Sequence, residues 1–300
     1  KGTVVIQKCC TPNILTANEY FEKTYYTSGT LEALLPATTI ANPDPYYYGP
    51  TSVSISLAAP GSTYINTPFS APVTISQLII ANGWTVTAGN LTIPQPLYIN
   101  RDLTIDQNIT ILNSPYIRIA PQVKIIVNPG ITFQVKNSTL APRCNAMWEG
   151  IVVSDVTSAV KFEQVNLVGA VRGIRAVNGG VVDVLSSVFV DNYIGIQVDD
   201  NLAAGANKIR DTYFGDVPNV ALLAPYSGQL IPETGIALNN VKLMTIGANA
   251  TYTGAASTKG NLFHNMKRGV DTYRTTCNVY RSSFYLMKHA AGQPEPNDGD

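Results

Sequence analysis

The sequence predicts an all-β protein: a right-handed parallel β-helix of three-strand coils, about 22–25 residues each, behind an irregular amino-terminal cap region. Three observations predict it. From Leu91 onward Val, Ile, Thr, Asn and Gly dominate, and apolar residues recur at every second position in short bursts: LTI, YIRIA, VKIIV, ITFQV, VVDV and GIQV. That period is a strand's. No window of eleven or more residues carries a helical stripe, since the best, ANEYFEKTYY around Tyr20, is too aromatic and threonine-flanked. Finally, the bursts are self-similar when aligned on Leu167, Phe189, Phe214, Phe263 and Phe284.

Residues 1–90 precede the coils. Thr30 to Pro72 is rich in Pro, Ala, Thr and Tyr, with ANPDPYYYGP at Ala41 to Pro50 and weak alternation at SVSISL. A cap with long loops suits it, because an open solenoid end exposes unpaired strand edges that need cover. A small separate domain is the alternative.

Residues 91–300 hold the coils. PGITFQV and MWEGIVV fit the template with Leu140 as anchor and Gly150 as turn. Five residues before the later anchors stand Phe162, Val184, Ile209, Thr258 and Val279, so a strand precedes each. Six residues after the anchors stand Gly173, Gly195, Gly269 and Ala290, the first three followed by Ile174, Ile196 and Val270. A small residue turns the chain and a branched one goes inward. The intervals 167 to 189 and 189 to 214 are 22 and 25 residues. The next, 49 residues, reads as about two turns, with an excursion from Val217 to Thr234 returning at GIAL. Some eight or nine coils result. Stacking places like residues on successive turns, so the anchors form an internal ladder, and outside it Lys161, Asp183 and Lys208 alternate in charge. No capping element follows the last coil, and the native protein is expected to continue past Asp300.

Composition narrows the partners. The chain of 300 residues is 45% hydrophobic and 13% charged, enough to bury a large core. Lys plus Arg and Asp plus Glu number 20 each, so no net field draws nucleic acid or an anionic membrane. No apolar run approaches the roughly 20 residues that cross a bilayer, and the chain is read as not membrane-spanning. It begins at Lys1, which points to a processed form or an excised segment. Cys9, Cys10, Cys144 and Cys277 have no zinc spacing, and the histidines, His264 and His289, stand far from the first three. Adjacent Cys9 and Cys10 do not readily close on each other, which leaves one of them pairing with Cys144 in an oxidising compartment, or buried free thiols.

At CNAMWEGIVV, preceded by KIIVNPGITFQVKNSTLAPR, the sequence resembles the β-helix modules of large secreted surface proteins of the type IX secretion pathway. The matching positions are Pro129, Gly130, Cys144, Met147, Trp148, Gly150 and Ile151, within a likeness covering about Leu91 to Ala290. The resemblance implies a pectin-lyase-like fold, export to the cell surface and contact with secretion machinery. The carboxy-terminal sorting domain of that family is missing from the sequence.

Three hypotheses compete for function. A polysaccharide lyase or glycoside hydrolase of this fold needs carboxylates spaced on one face, or carboxylates holding calcium beside a basic residue. Asp199 and Asp200 imitate an Asp-Asp element and are the only catalytic candidates. Their partners are absent: His264 sits in FHNM rather than between glycines, and Asp183, Asp191, Lys208, Arg210 and Asp211 scatter over different corners. The leading expectation is therefore a non-catalytic scaffold at the cell surface that binds glycan or protein, with a self-assembling filament subunit as a third reading. Candidate binding residues are Tyr46, Tyr47 and Tyr48, held out of a sheet centre by flanking prolines, and Trp148, either a sugar-stacking platform or core packing. No cofactor is called for, with calcium the one ion the acidic residues leave open. Asn192 and Asn265 are expected at left-handed corners. Asp191 falls beside Asn265, whereas Asp199 and Asp200 have no counterpart in neighbouring turns.

Overall fold

A computed structural model describes residues 73–93, 97–114, 117–143, 146–202, 207–217, 220–247 and 260–287, together with the backbone of Ser28–Thr30, Ser54–Ser56 and Thr63–Tyr64. The chain divides into two compact units, 1–63 and 64–300. In the first, Ser28–Thr30 pairs antiparallel with Ser54–Ser56.

The second unit is a parallel β-helix. Each turn gives one strand to each of three long sheets of eight or nine strands. One complete turn runs through Leu97–Ile99, Leu103–Ile105 and Ile109–Leu112, which begin the turn-by-turn pairing of the first, second and third sheets. The last strands are Ser283–Tyr285, Arg268–Tyr273 and Cys277–Val279. The ladder extends ahead of residue 91, since Val73–Thr74 pairs with Leu103 and Thr104.

A helix the sequence pattern did not reveal, Ile75–Asn82, packs Ile75 and Leu78 into the core at this end. Eight residues are too few for a periodicity window, but the end signals are local. Thr74 accepts from the Gln77 N–H, the Gln77 side chain accepts from the Thr74 N–H, and Gly83 closes the helix in the left-handed conformation.

Alternation builds the core. In Val181–Leu185 the residues Val182 and Val184 are fully buried while their neighbours face outward. The anchors stack in register as expected: Leu140 on Leu167, then Phe189, Phe214, Phe263 and Phe284. The last four rings lie 5.1, 5.0 and 4.8 Å apart, close to the spacing of parallel strands. Phe162, Val184, Ile209 and Val279 also share one column. Thr258 lies outside the described residues; the rung between Ile209 and Val279 is held by Ile246.

That rung corrects the reading of the 49-residue interval. Phe214 pairs directly with Phe263, so the interval is one turn carrying two excursions, one before Thr234 and one after Gly247. Excursions leave at corners, where no ladder hydrogen bond is lost, so a turn tolerates them without breaking register.

The glycines after each anchor also have a different purpose from the one expected. Gly173, Gly195, Gly235 and Gly269 sit within strands, under the aromatic stack. A Cβ on Gly195 would lie 2.5 Å from the Gly235 carbonyl oxygen and 2.8 Å from a Phe214 ring carbon. Gly235 meets Gly269 and Phe263 in the same way, at 2.7 Å each. Ring and backbone approach so closely that no side chain fits between them.

The turning is done by left-handed residues at recurring corners. After the third sheet these are Asn113, Asn137, Gln164, Ser186 and Asp211. Between the first and second sheets they are Gly169, Asp191 and Asn265, which bears out the pairing of Asp191 with Asn265. Asn192, expected in that conformation, instead lies buried beside it. Its carboxamide accepts from the Ala170 N–H and donates to the Leu167 carbonyl, satisfying backbone groups of the preceding turn.

Candidate functional site

The acidic pair is explained by the corner after the second sheet. Asp199 pairs with Asn239, which pairs with Tyr273, and the following residues Asp200, Asn240 and Arg274 all adopt positive φ. Both residues therefore have counterparts in the next two turns, contrary to expectation. Asp200 accepts a hydrogen bond from the Asn240 amide at 2.8 Å. Asp199 accepts from Gln197 at 2.8 Å and lies 3.9 Å from Arg175. The other carboxylates weighed for lyase chemistry are also occupied: Asp183 by Arg210 at 2.6 Å, and Asp211 by the Ser186 hydroxyl at 2.8 Å. Lys161, Asp183 and Lys208 do stack on successive turns. Among the described residues no group of three or more His, Cys, Asp or Glu side chains is placed to hold a metal.

Trp148 is fully buried and donates its indole N–H to the Val168 carbonyl at 2.9 Å, which closes it to a sugar ring and corrects the platform expectation. Its neighbours explain the motif. Met147 and Ile151 are buried too, and Gly150 holds φ +107 where a Cβ would collide with the Arg172 carbonyl. Tyr46, Tyr47, Tyr48, Cys9, Cys10 and Cys144 lie outside the described residues. Cys277 is a half-buried free thiol, and burial pushes its pKa up.

Two surface features remain as candidate sites. On the outer face of the second sheet, Ile126 and Val152 floor a groove of about 600 Å³ edged by Gln122, Lys124, Glu149, Arg172 and Arg175. Its charges are balanced and tethered. Lys124 lies 3.7 Å from Asp102, Arg172 donates to Gln197 at 2.7 Å, and Arg175 faces Asp199. An apolar floor with a few fixed polar groups orients a ligand without a strong field. Sequence reading missed it because its cations come from two coils, Lys124 from one and Arg172 and Arg175 from another two turns on.

The second feature is a corner where the first sheet meets the long excursion. Asp191, Asp216 and Asn265 occupy the same place, two residues past Phe189, Phe214 and Phe263. Asp216 is buried. One of its oxygens accepts from the Asn265 amide; the other has no hydrogen-bond partner and lies 3.8 Å from Nδ1 of His264. The Tyr213 hydroxyl is 3.4 Å from the same nitrogen, its ring passing over Gly215, where any side chain would block it. Asp191 accepts from the Val217 N–H at 2.8 Å. Burial raises the Asp191 pKa, the Val217 hydrogen bond offsets part of the rise, and the Asp216 charge adds to it. Burial, then Asp216 and Asp191, also push the Tyr213 phenol up. The signal for this cluster was the anchor alignment itself, which puts Asp216 two residues past Phe214; reading the 49-residue interval as two turns hid that His264 and Asn265 lie on the next rung.

Compared with models of known protein families, with curated proteins and with solved structures, the chain matches none.

Proposed function

We propose that this chain is a module of an extracellular or cell-surface protein, a β-helix scaffold that binds glycan or protein along its side without transforming it. The observation that carries the reading is the groove over Ile126 and Val152: a shaped, charge-balanced surface on an unbroken ladder, fitted to hydroxyl-rich ligands. The fixed guanidinium groups of Arg172 and Arg175 supply donors, and Glu149 supplies an acceptor. Export by the type IX route rests on the resemblance at Pro129, Gly130, Cys144, Met147, Trp148, Gly150 and Ile151.

Titration with neutral and acidic oligosaccharides, followed by NMR shifts of groove residues, tests the proposal. Saturable binding without turnover is expected, with affinity falling about tenfold or more in Arg172→Ala/Arg175→Ala, the scale of one or two lost hydrogen bonds to a charged group. Absence of binding across the panel would count against the groove.

A second reading, a polysaccharide lyase or hydrolase, draws support from the Asp191, Asp216, Tyr213 and His264 cluster, since a carboxyl with a raised pKa next to a buried carboxylate and a histidine is a feature of acid–base sites. Release of unsaturated products or new reducing ends, abolished by Asp216→Asn, would replace the scaffold reading with this one.

A further inference from the structure

We infer that the corner of Asp191, Asp216 and His264 is a proton-operated clasp that tightens the root of the excursion between Gly215 and Thr234 as the pH falls. This inference is independent of the ligand reading. The excursion crosses the corner between the first and second sheets and is fastened along its length. Met147 N–H donates to the Ala224 carbonyl at 2.8 Å, Leu222 is buried with Met147 and Val171, and Tyr226 stacks on Tyr193 at 3.7 Å and 2°. Its far root is held by Glu233, which pairs with Lys267 at 2.6 Å and Arg268 at 3.3 Å.

The near root has no such cation. The charged and titratable groups around it are Asp191, Asp216, Tyr213 and His264, with Tyr285 stacked on the His264 ring. Among the described residues neither carboxylate has a Lys or Arg ion-pair partner. A half-buried carboxylate and a buried one thus share the corner, and one buried oxygen of Asp216 lacks a donor. A buried acceptor without a partner loses its hydration and gains nothing in return.

A proton on Asp191 removes its repulsion from Asp216. Nδ1 of His264 faces the unpartnered Asp216 oxygen and offers it a donor when the ring hydrogen sits there. The direction follows from linkage. The closed root holds the Asp191 proton more firmly than an open, hydrated root, so closure is favoured below the ordinary carboxyl value of 3.8 and the benefit is lost as pH rises through the raised value. The neutral carboxyl still accepts from the Val217 N–H, more weakly than the carboxylate does, so the net gain in closure is the relief of burial and of the Asp216 repulsion less that loss, and it is passed to the cover over Tyr193.

Hydrogen exchange read by mass spectrometry tests this, with rates corrected for the intrinsic pH dependence of amide exchange. At pH 4, peptides spanning 220–233 are expected to be better protected than at pH 7.5, since the closed root holds the Asp191 proton more firmly than the open one. A peptide spanning 159–185, within the coil, serves as reference and should not change. Asp191→Asn, which carries no charge at either pH, should raise protection at pH 7.5 and flatten the response. His264→Gln should reduce it. Equal protection at both pH values, loosening in acid, or an unchanged response in Asp191→Asn overturns the clasp. So does protection conferred at pH 7.5 by millimolar calcium but not by acid, which would make a cation rather than a proton the occupant.

Discussion

Gly195→Ala is expected to destabilise the β-helix by about 3 kcal/mol, the upper part of the range for overpacking a core. The added carbon would meet the Gly235 carbonyl at 2.5 Å and the Phe214 ring at 2.8 Å. A ring edge yields by rotation; a carbonyl fixed in a parallel ladder does not, which puts the cost high in that range. Thermal unfolding should shift down by about 6–12 °C for a unit of this size. Gly228, a loop glycine with open space around its Cβ position, provides the control, and its alanine variant should be nearly neutral.

Phe214→Ala should cost about 3–5 kcal/mol, as expected for truncating a fully buried aromatic. Phe214 stands between Phe189 and Phe263, so its loss opens a gap in the stack and removes two ring contacts. The neighbouring rings are held by their own strands and cannot close the gap. Combined with Gly195→Ala, the loss should be less than additive, because the cavity removes one of the two collisions made by the new methyl group. Denaturant titration of the two single variants and the double variant measures that coupling.

These two variants also show what could be read from the chain itself. Parallel in-register stacking turns the fold into a one-dimensional repeat, so the spacing of Phe189, Phe214, Phe263 and Phe284 in the sequence discloses the ladder. The spacing of glycines was legible too, but not their purpose: a strand glycine under a ring and a corner glycine look alike in sequence. Corner positions were legible from the anchors, but not which corners adjoin across an irregular interval. Asp191, Asp216 and Asn265 each fall two residues past an anchor; the 49-residue interval concealed that the last two lie on neighbouring rungs. Asp199 and Asp200 looked exceptional for the same reason, since their counterparts Asn239 and Asn240 lie beyond the excursion.

The candidate sites were less legible than the fold because they depend on side chains converging from several turns. Trp148 stands out in sequence by its chemistry, yet its place in the core serves packing. The groove is assembled from ordinary residues, and neither Lys124 nor Arg175 is distinctive alone. In a solenoid, surface function is written across the rungs, and rung assignment has to be right before it can be read.

That assignment is tested most directly by spin labels at positions 208 and 245, in a chain whose cysteines are otherwise replaced by serine. Lys208 and Thr245 point outward on the third sheet and occupy adjacent rungs although 37 residues apart. The account predicts strong spin exchange, as between labels about 5 Å apart on neighbouring strands and matching a reference pair at 183 and 208. A separation of about 10 Å or more, with no exchange, would mean that another turn lies between them and would contradict the single 49-residue coil on which the corner and its clasp depend.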